Sequence, residues 1–139
     1  AELSKNYYIT IEYGIESCFD KTLLRINRGH TYEDSIKAIR ETARRGIMTG
    51  GHMIIGLPGE TRTEIINQAT IISLLPLDNI KFHQLQLIAG TVMSKQYKED
   101  SSQFYFFELD EYIDLIIDFI ERLNPKFKID YIGEIGEDF

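Results

Sequence analysis

Acidic and imidazole side chains recur on one face of two predicted strands, where they could bind a polar ligand. Residues 7–16 alternate with a period of two, so Glu12 and Glu16 share a face. His52 lies opposite the large apolar side chains of a second predicted strand, residues 47–56. Carboxylates and imidazoles bind cationic, hydroxyl and amine groups through charge-assisted hydrogen bonds.

A third predicted strand, residues 79–88, carries amides in the same alternation. Gln84 and Gln86 lie opposite Leu85 and Leu87. Parallel strands that are covered on both faces are usually almost continuously apolar, and buried polar groups need partners. Two interpretations remain open: a barrel lumen that holds a polar ligand, or a sheet face exposed to solvent.

The segment Gly56-Leu57-Pro58-Gly59-Glu60-Thr61 joins a strand to a helix. Free N–H groups at a helix N-terminus favour anions, so this turn is also compatible with a phosphate-binding barrel enzyme such as an aldolase or isomerase. No lysine falls on the predicted lumen faces, which argues against a Schiff-base aldolase. Glu64, three residues after Thr61, is interpreted as a helix cap.

The chain has one cysteine and three histidines. Cys18 is expected in the core, and a single cysteine excludes an internal disulfide or a self-contained cysteine metal site. The histidines lack the spacing of a metal site, so no metal ligand is predicted. His83 is expected to face the helices and His30 to satisfy a turn.

Helical and strand patterns alternate along the chain. Capping boxes and apolar periodicity predict helices at 31–46, 61–74 and 110–123, a short helical turn at 20–26, a short helix and loop at 94–107, and a last strand at 127–132 followed by a polar tail. Such alternation predicts an α/β fold with parallel strands, either an open sheet or an arc of a barrel.

The bulk composition is that of an ordinary globular domain. The 139 residues are 43% hydrophobic and 27% charged, with a net charge of −7. No apolar run is long enough to span a membrane, so we expect a cytoplasmic protein. The negative charge makes nucleic-acid binding through this segment unfavourable. Because the chain begins with Ala1, we expect it to be a piece of a longer protein.

Four motifs in this order and spacing resemble those of radical S-adenosylmethionine (SAM) proteins. They are Tyr-Gly-Ile-Glu-Ser at 13–17, Asn-Arg-Gly-His at 27–30, Ile-Ile-Gly-Leu-Pro-Gly-Glu-Thr at 54–61 and His-Gln-Leu-Gln-Leu-Ile-Ala-Gly-Thr at 83–91. The resemblance covers residues 9–124 and is greatest to the group of YhcC-like proteins, oxygen-independent coproporphyrinogen oxidase and the elongator catalytic subunit.

The resemblance implies a partial TIM-type barrel, the C-terminal half of a (β/α)6 radical SAM barrel. Barrel strands and helices would occupy residues 1–92, and a C-terminal helix and strand extension would occupy residues 93–139. It also implies that Glu16 contacts SAM and that Arg28 approaches the SAM carboxylate, for which a planar guanidinium is suited. His52 would meet the ribose or the amino acid moiety, although related proteins often carry Asp there.

Further cofactor contacts are implied by position in the same motifs. The turn brings backbone and an apolar side chain near SAM, and the third strand lines the adenine. The implied set is completed by Ser17, Gly56, Leu57, Pro58, Gln84, Gln86 and Leu87.

The family's reaction requires a [4Fe-4S] cluster held by three cysteines, reductive cleavage of SAM, and a 5′-deoxyadenosyl radical that abstracts hydrogen from substrate. The cluster loop is absent from this sequence, so the chain alone is expected to be inactive. An electron donor such as a flavodoxin or ferredoxin is implied, whereas catalytic residues and a small-molecule or macromolecular substrate are not readable. A non-catalytic scaffold with a solvated polar face remains the alternative; it would tolerate Glu16→Ala and Arg28→Ala.

Overall fold

The fold was obtained as a computed structural model in which residues 2–131 are described. Strands and helices alternate along most of that range, with a 3₁₀ turn at Leu3–Lys5 and another at Ser101–Gln103. In chain order the elements are β1 (Thr10–Glu16), α1 (Asp20–Arg25), α2 (Tyr32–Arg44), β2 (Met48–Ile55), α3 (Arg62–Ile72), β3 (Asn79–Gln84), α4 (Val92–Glu99), α5 (Leu109–Arg122) and β4 (Lys128–Tyr131).

The four strands form one parallel sheet in the order β1-β2-β3-β4. Each crossover between neighbouring strands contains a helix, as parallel pairing requires. The predicted α/β class is therefore confirmed. Since all strands run the same way, their carboxyl ends meet at a single edge of the sheet.

Local signals in the sequence set the helix starts. Thr31 and Asp34 form a capping box at α2, and Thr61 and Glu64 form one at α3. In each box the threonine hydroxyl accepts an N–H of the first turn, and the acidic side chain accepts the threonine N–H. An N-cap of this kind stabilises a helix by about 1 kcal/mol.

The main core lies between the sheet and the helices α2, α3 and α5. Phe82 of β3 and Phe119 of α5 are fully buried and meet edge to face, with ring centroids 5.0 Å apart. Ile15, Met53 and Ile80 contribute the inner faces of β1, β2 and β3. Losing a buried Phe side chain from such a core costs about 3–5 kcal/mol, so this packing fixes the sheet that carries the polar residues.

Several boundaries differ from those predicted. β1 begins at Thr10 rather than at residue 7, and β3 ends at Gln84 rather than at residue 88. The segment 94–107 contains most of α4, the 3₁₀ turn at Ser101–Gln103 and an irregular stretch, in agreement with the predicted short helix and loop. The predicted last strand is observed as β4, while Ile132 and the polar tail lie outside the described residues.

A β-bulge ends the regular part of β1. Gly14 pairs with His52, but the next pair is Glu16 with Met53, so two residues of β1 oppose one residue of β2. Glu16 adopts a left-handed conformation with φ of 65°. Such a conformation costs a non-glycine residue on the order of 1–2 kcal/mol, and it redirects the Glu16 side chain away from the strand.

Candidate functional site

A groove of about 550 Å³ crosses the polar face of the sheet near its carboxyl edge. Its polar lining consists of Glu12, Glu16, His52, His83, Gln84 and Gln86, and we call it the polar groove. Gly14, Ile54 and Leu85 complete its walls. All five polar residues predicted for this face are present, so the fold brings together side chains that lie up to 74 positions apart in sequence.

Glu16 and Arg28 form an ion pair beside the groove. Arg28 Nη2 lies 3.1 Å from Glu16 Oε1 and also donates to the Gly14 carbonyl oxygen at 3.1 Å. A Cβ at position 14 would collide with both the Arg28 Nη2 and Glu16 Oε1 atoms. Burial raises the pKa of Glu16, and the positive charge of Arg28 opposes that shift. Because Arg28 uses Nη2 for both contacts, its guanidinium retains other N–H donors.

His52 lies at the centre of a hydrogen-bonded chain across three strands. Its Nε2 is 2.9 Å from Glu12 Oε2, and its Nδ1 is 2.8 Å from His83 Nε2. Lys81 Nζ lies 2.6 Å from Glu12 Oε1. Hydrogen bonds from Lys81 and then His52 lower the pKa of Glu12, so this carboxylate stays ionised and accepts both bonds.

Two expectations about β3 are wrong. His83 faces the polar groove rather than the helices, and Lys81 lies on the same face although no lysine was expected there. The side chains of Ile80 and Phe82 are fully buried, so strict alternation sends Lys81 and His83 the other way. The alternation of residues 84–87 does not extend to His83, because these residues lie at and beyond the end of β3, where strand alternation no longer holds.

Ser17 lies apart from the groove. Its side chain is fully buried, and its Oγ donates to Glu60 Oε1 at 2.5 Å. Glu60 Oε2 accepts from Gln68 Nε2 at 3.0 Å, and Gln68 Oε1 accepts the Cys18 N–H at 2.6 Å. Burial raises the pKa of Glu60, and the hydrogen bonds from Ser17, Thr22 and Gln68 oppose that shift. This network fixes the backbone directly after Glu16.

The turn after β2 faces a different part of the molecule. Leu57 is buried in a small apolar cluster with Leu85 and Phe104, against which Leu87 packs. Gly56 has a φ of 89°, which favours glycine, and it borders a second cleft of about 460 Å³ together with Tyr105 and Phe107. Gly56, Leu57 and Pro58 are buried, and neither they nor Leu87 are among the residues that line the polar groove. Their predicted contacts with SAM stay predictions.

The start of α3 is occupied by the chain's own carboxylate. Glu64 Oε2 accepts the Thr61 N–H at 2.9 Å and its hydroxyl at 3.0 Å, which confirms Glu64 as a cap. Lys21 Nζ adds an ion pair to Glu64 Oε1 at 2.5 Å. A phosphate at this terminus would have to displace that carboxylate, so the geometry disfavours the phosphate-binding alternative.

Cys18 is buried, as predicted, and burial raises the pKa of its thiol to about 12. Such a thiol is not a thiolate ligand near neutral pH. Within residues 2–131, no group of three or more His, Cys, Asp and Glu side chains is placed to hold a metal ion. In the same range, no helix is long and apolar enough to cross a lipid bilayer.

Two family models match the chain. The model of the radical SAM superfamily matches residues 1–69, and that of the Radical_SAM C-terminal domain matches residues 77–137. Together they account for most of the sequence, and the chain belongs to the radical SAM superfamily. Within it, the relatives support the YhcC-like and elongator-like group that the motifs indicated.

Individual relatives agree with this assignment. The uncharacterized protein MJ0486 of Methanocaldococcus jannaschii is 40% identical over 90% of this chain and 38% of its own length. Protein YhcC of Escherichia coli K12 is 32% identical over 88% of this chain and 39% of its length. The chain thus spans under two fifths of these curated relatives.

A solved structure shares the fold. The structure of archaeal Methanocaldococcus infernus Elp3 with an N-terminal deletion has a TM-score of 0.79 and 23% sequence identity, covering 88% of this chain and 29% of that chain. This likeness supports the fold as part of a radical SAM barrel. The division of the chain near residue 92 stays a prediction.

Sequence reasoning missed one residue of the polar groove, His83, one neighbour on the same face, Lys81, and one link between motifs. Lys81 and His83 could have been placed by the buried pair Ile80 and Phe82, which sets the phase of β3. The bond from Ser17 to Glu60 joins segments that no local pattern connects.

Proposed function

We propose that the polar groove is the part of a SAM pocket that this chain contributes to a longer radical SAM enzyme. The supporting observation is that Glu16 and His52 line one groove, with Arg28 ion-paired to Glu16 beside it, in a chain of this superfamily. The groove supplies both signs of charge, and SAM carries a sulfonium, an amino group and a carboxylate. Carboxylate, guanidinium and imidazole groups complement these.

The chemistry of the residues fits SAM in three respects. Glu16 is held next to Arg28 by the bulge, so an acceptor and a donor lie side by side. The absence of a Cβ at Gly14 leaves room for Arg28 Nη2 and Glu16 Oε1. The amides of Gln84 and Gln86 add donors and acceptors on the far wall, where an adenine edge would be recognised.

The cluster ligands belong to another part of the longer protein, because this chain has one cysteine and that residue is buried. In such an enzyme the cluster and SAM together supply the radical that abstracts hydrogen from substrate. This chain's residues bind and orient SAM, whereas a flavodoxin or ferredoxin donates the electron. We expect the isolated chain to be inactive.

The test is calorimetric binding of SAM and S-adenosylhomocysteine to the longer protein, with its cluster reconstituted anaerobically. Glu16→Ala and Arg28→Ala should each weaken SAM binding by about tenfold or more, since each removes a charge-assisted contact. Matched charge removals on exposed positions, Glu33→Ala and Arg122→Ala, should leave affinity unchanged. Unchanged affinity in both groove variants would overturn the site assignment and favour the scaffold alternative.

A further inference from the structure

Two of the chain's three histidines meet edge to edge inside the polar groove. The rings of His52 in β2 and His83 in β3 are nearly parallel, with centroids 5.0 Å apart and an interplanar angle of 9°. His83 pairs in register with Ile54, two residues beyond His52, so both imidazoles stand on the same face of the sheet. His52 Nδ1 and His83 Nε2 lie 2.8 Å apart, which requires that one nitrogen donates and the other accepts.

The neighbours of His52 decide which nitrogen donates. Glu12 is an ionised acceptor, so the proton on the 2.9 Å bond between them belongs to His52 Nε2. A neutral imidazole carries one N–H, which leaves His52 Nδ1 as an acceptor. The His83 Nε2–H then donates to it. Both rings are neutral in this arrangement, and their tautomers are set by the hydrogen bonds.

One added proton fits this arrangement, whereas two do not. One proton added to the pair binds at His83 Nδ1, and the bridging proton can then move from His83 Nε2 to His52 Nδ1, so the 2.8 Å bond is kept in either direction. A second proton would place N–H groups on both facing nitrogens and put two cations beside Lys81. In agreement, burial and then the positive charges of His52 and Lys81 lower the pKa of His83.

The charges around the pair determine how that single proton changes the net charge of the groove. β1 contributes Glu12 and Glu16, β3 contributes Lys81, and Arg28 lies against Glu16. Two carboxylates and two cations balance while the histidines are neutral. Adding one proton makes the groove net positive. A proton on Glu16 or on the nearby His30 would also make the groove more positive. The experiment therefore needs a control for these two residues.

We propose that His52 and His83 bind one proton as a unit, and that this proton makes the groove discriminate against a sulfonium in favour of a neutral thioether. The inference rests on the proposed function, because the ligands in question are SAM and S-adenosylhomocysteine. These ligands differ at the sulfur by a methyl group and one positive charge. His52 and His83 are thus determinants of charge specificity, and His83 acts through His52.

The experiment measures the dissociation constants of both ligands between about pH 5.5 and pH 8 on the longer protein with its cluster. The ratio of the SAM constant to the S-adenosylhomocysteine constant should rise about three- to tenfold as the pH falls, as expected for one added charge several ångströms from a sulfonium. The double variant His52→Gln/His83→Gln should abolish this rise, and His30→Gln should preserve it. A flat ratio in the unaltered protein, or an unchanged rise in the double variant, would overturn the proposal.

A second measurement separates this proposal from the proposed function. In an NMR titration of labelled imidazoles, resonances of His52 and His83 should move at one common midpoint, with a further proton bound only at lower pH. In His83→Gln, the His52 resonances should move alone with a different midpoint. If the His52 and His83 resonances of the unaltered protein each moved through a full titration at its own midpoint, the two residues would not share one proton. Failure of either ligand to bind at any pH would instead overturn the SAM site.

Discussion

Ser17 Oγ lies 2.5 Å from Glu60 Oε1, and this contact joins two motifs that are 43 residues apart in sequence. Ser17 directly follows Glu16, whose left-handed backbone turns its carboxylate toward Arg28. Glu60 ends the turn after β2. The buried bond therefore holds the two halves of the candidate site in fixed relation, although neither partner lines the polar groove.

Removal of the Ser17 hydroxyl should destabilise the fold. Ser17→Ala leaves a largely buried Glu60 oxygen without its short donor, and an unsatisfied buried group costs about 1–3 kcal/mol. Urea unfolding followed by circular dichroism measures the loss. Ser101→Ala on the surface is the control, with an expected change within about 0.5 kcal/mol. Equal effects of the two variants would show that the Ser17–Glu60 contact is not stabilising.

Glu60 should make the fold less stable as the pH rises. Burial raises its pKa above the ordinary value of 4.5, so the folded state holds its proton more tightly than the unfolded state. Stability associated with that proton is present below pH 4.5 and is lost as the pH rises through the folded-state value. Glu60→Gln removes this titration, so its stability relative to the unaltered chain should improve from pH 4.5 upward. Glu99→Gln at an exposed position should show no such trend.

Glu64 should have the opposite pH dependence. The ion pair with Lys21 and the Thr61 backbone N–H lower its pKa from 4.5 to about 2. Its contribution to stability is therefore present above pH 4.5 and lost as the pH falls toward 2. Glu64→Gln should destabilise the chain at pH 7, and the difference should shrink over that window. Glu33→Gln is the control, because its partner Lys37 is 4.0 Å away and both are exposed.

Gly14 should be needed for ligand binding more than for folding. A Cβ there would collide with the ends of Arg28 and Glu16, which are flexible side chains that can move away. Gly14→Ala should thus separate the ion pair and lower SAM affinity several-fold, while the thermal midpoint shifts by only a few degrees, on the order of 1 kcal/mol. Calorimetry and thermal unfolding of the same sample check both. If Gly14→Ala lowered stability without lowering SAM affinity, Gly14 would be needed for folding alone.

The elements with strong local signals were predictable from the sequence. α2 and α3 start at capping boxes whose threonine and acidic residues are visible as a three-residue spacing. The helix α5 was also predictable, but its buried face consists of Tyr112, Leu115, Ile116 and Phe119, whereas Ile113 and Ile117, which the periodicity placed on the apolar stripe, are exposed. Alternation also placed Glu12 and His52 on the face where the groove lies.

The remaining features depend on contacts between distant segments. Alternation holds only inside a strand, and the point where β3 ends was not visible in its apolar run, so His83 was assigned to the wrong face. The bulge at Glu16 is likewise decided by pairing with β2 rather than by residues 13–17 alone. The pair of His52 and His83 forms only because the register of β2 and β3 brings residues 31 positions apart together.

Because the parallel strands follow one another in sequence order, a ligand in the groove would stabilise several strands at once against local unfolding. The groove takes side chains from β1, β2 and β3, which are neighbours in the sheet and are joined by crossover helices. A ligand there would couple their opening, because none could unfold locally without losing contacts shared by the others. Backbone amides of β1, β2 and β3 should therefore slow their hydrogen exchange together, whereas a molecule bound to one surface loop would protect that loop alone.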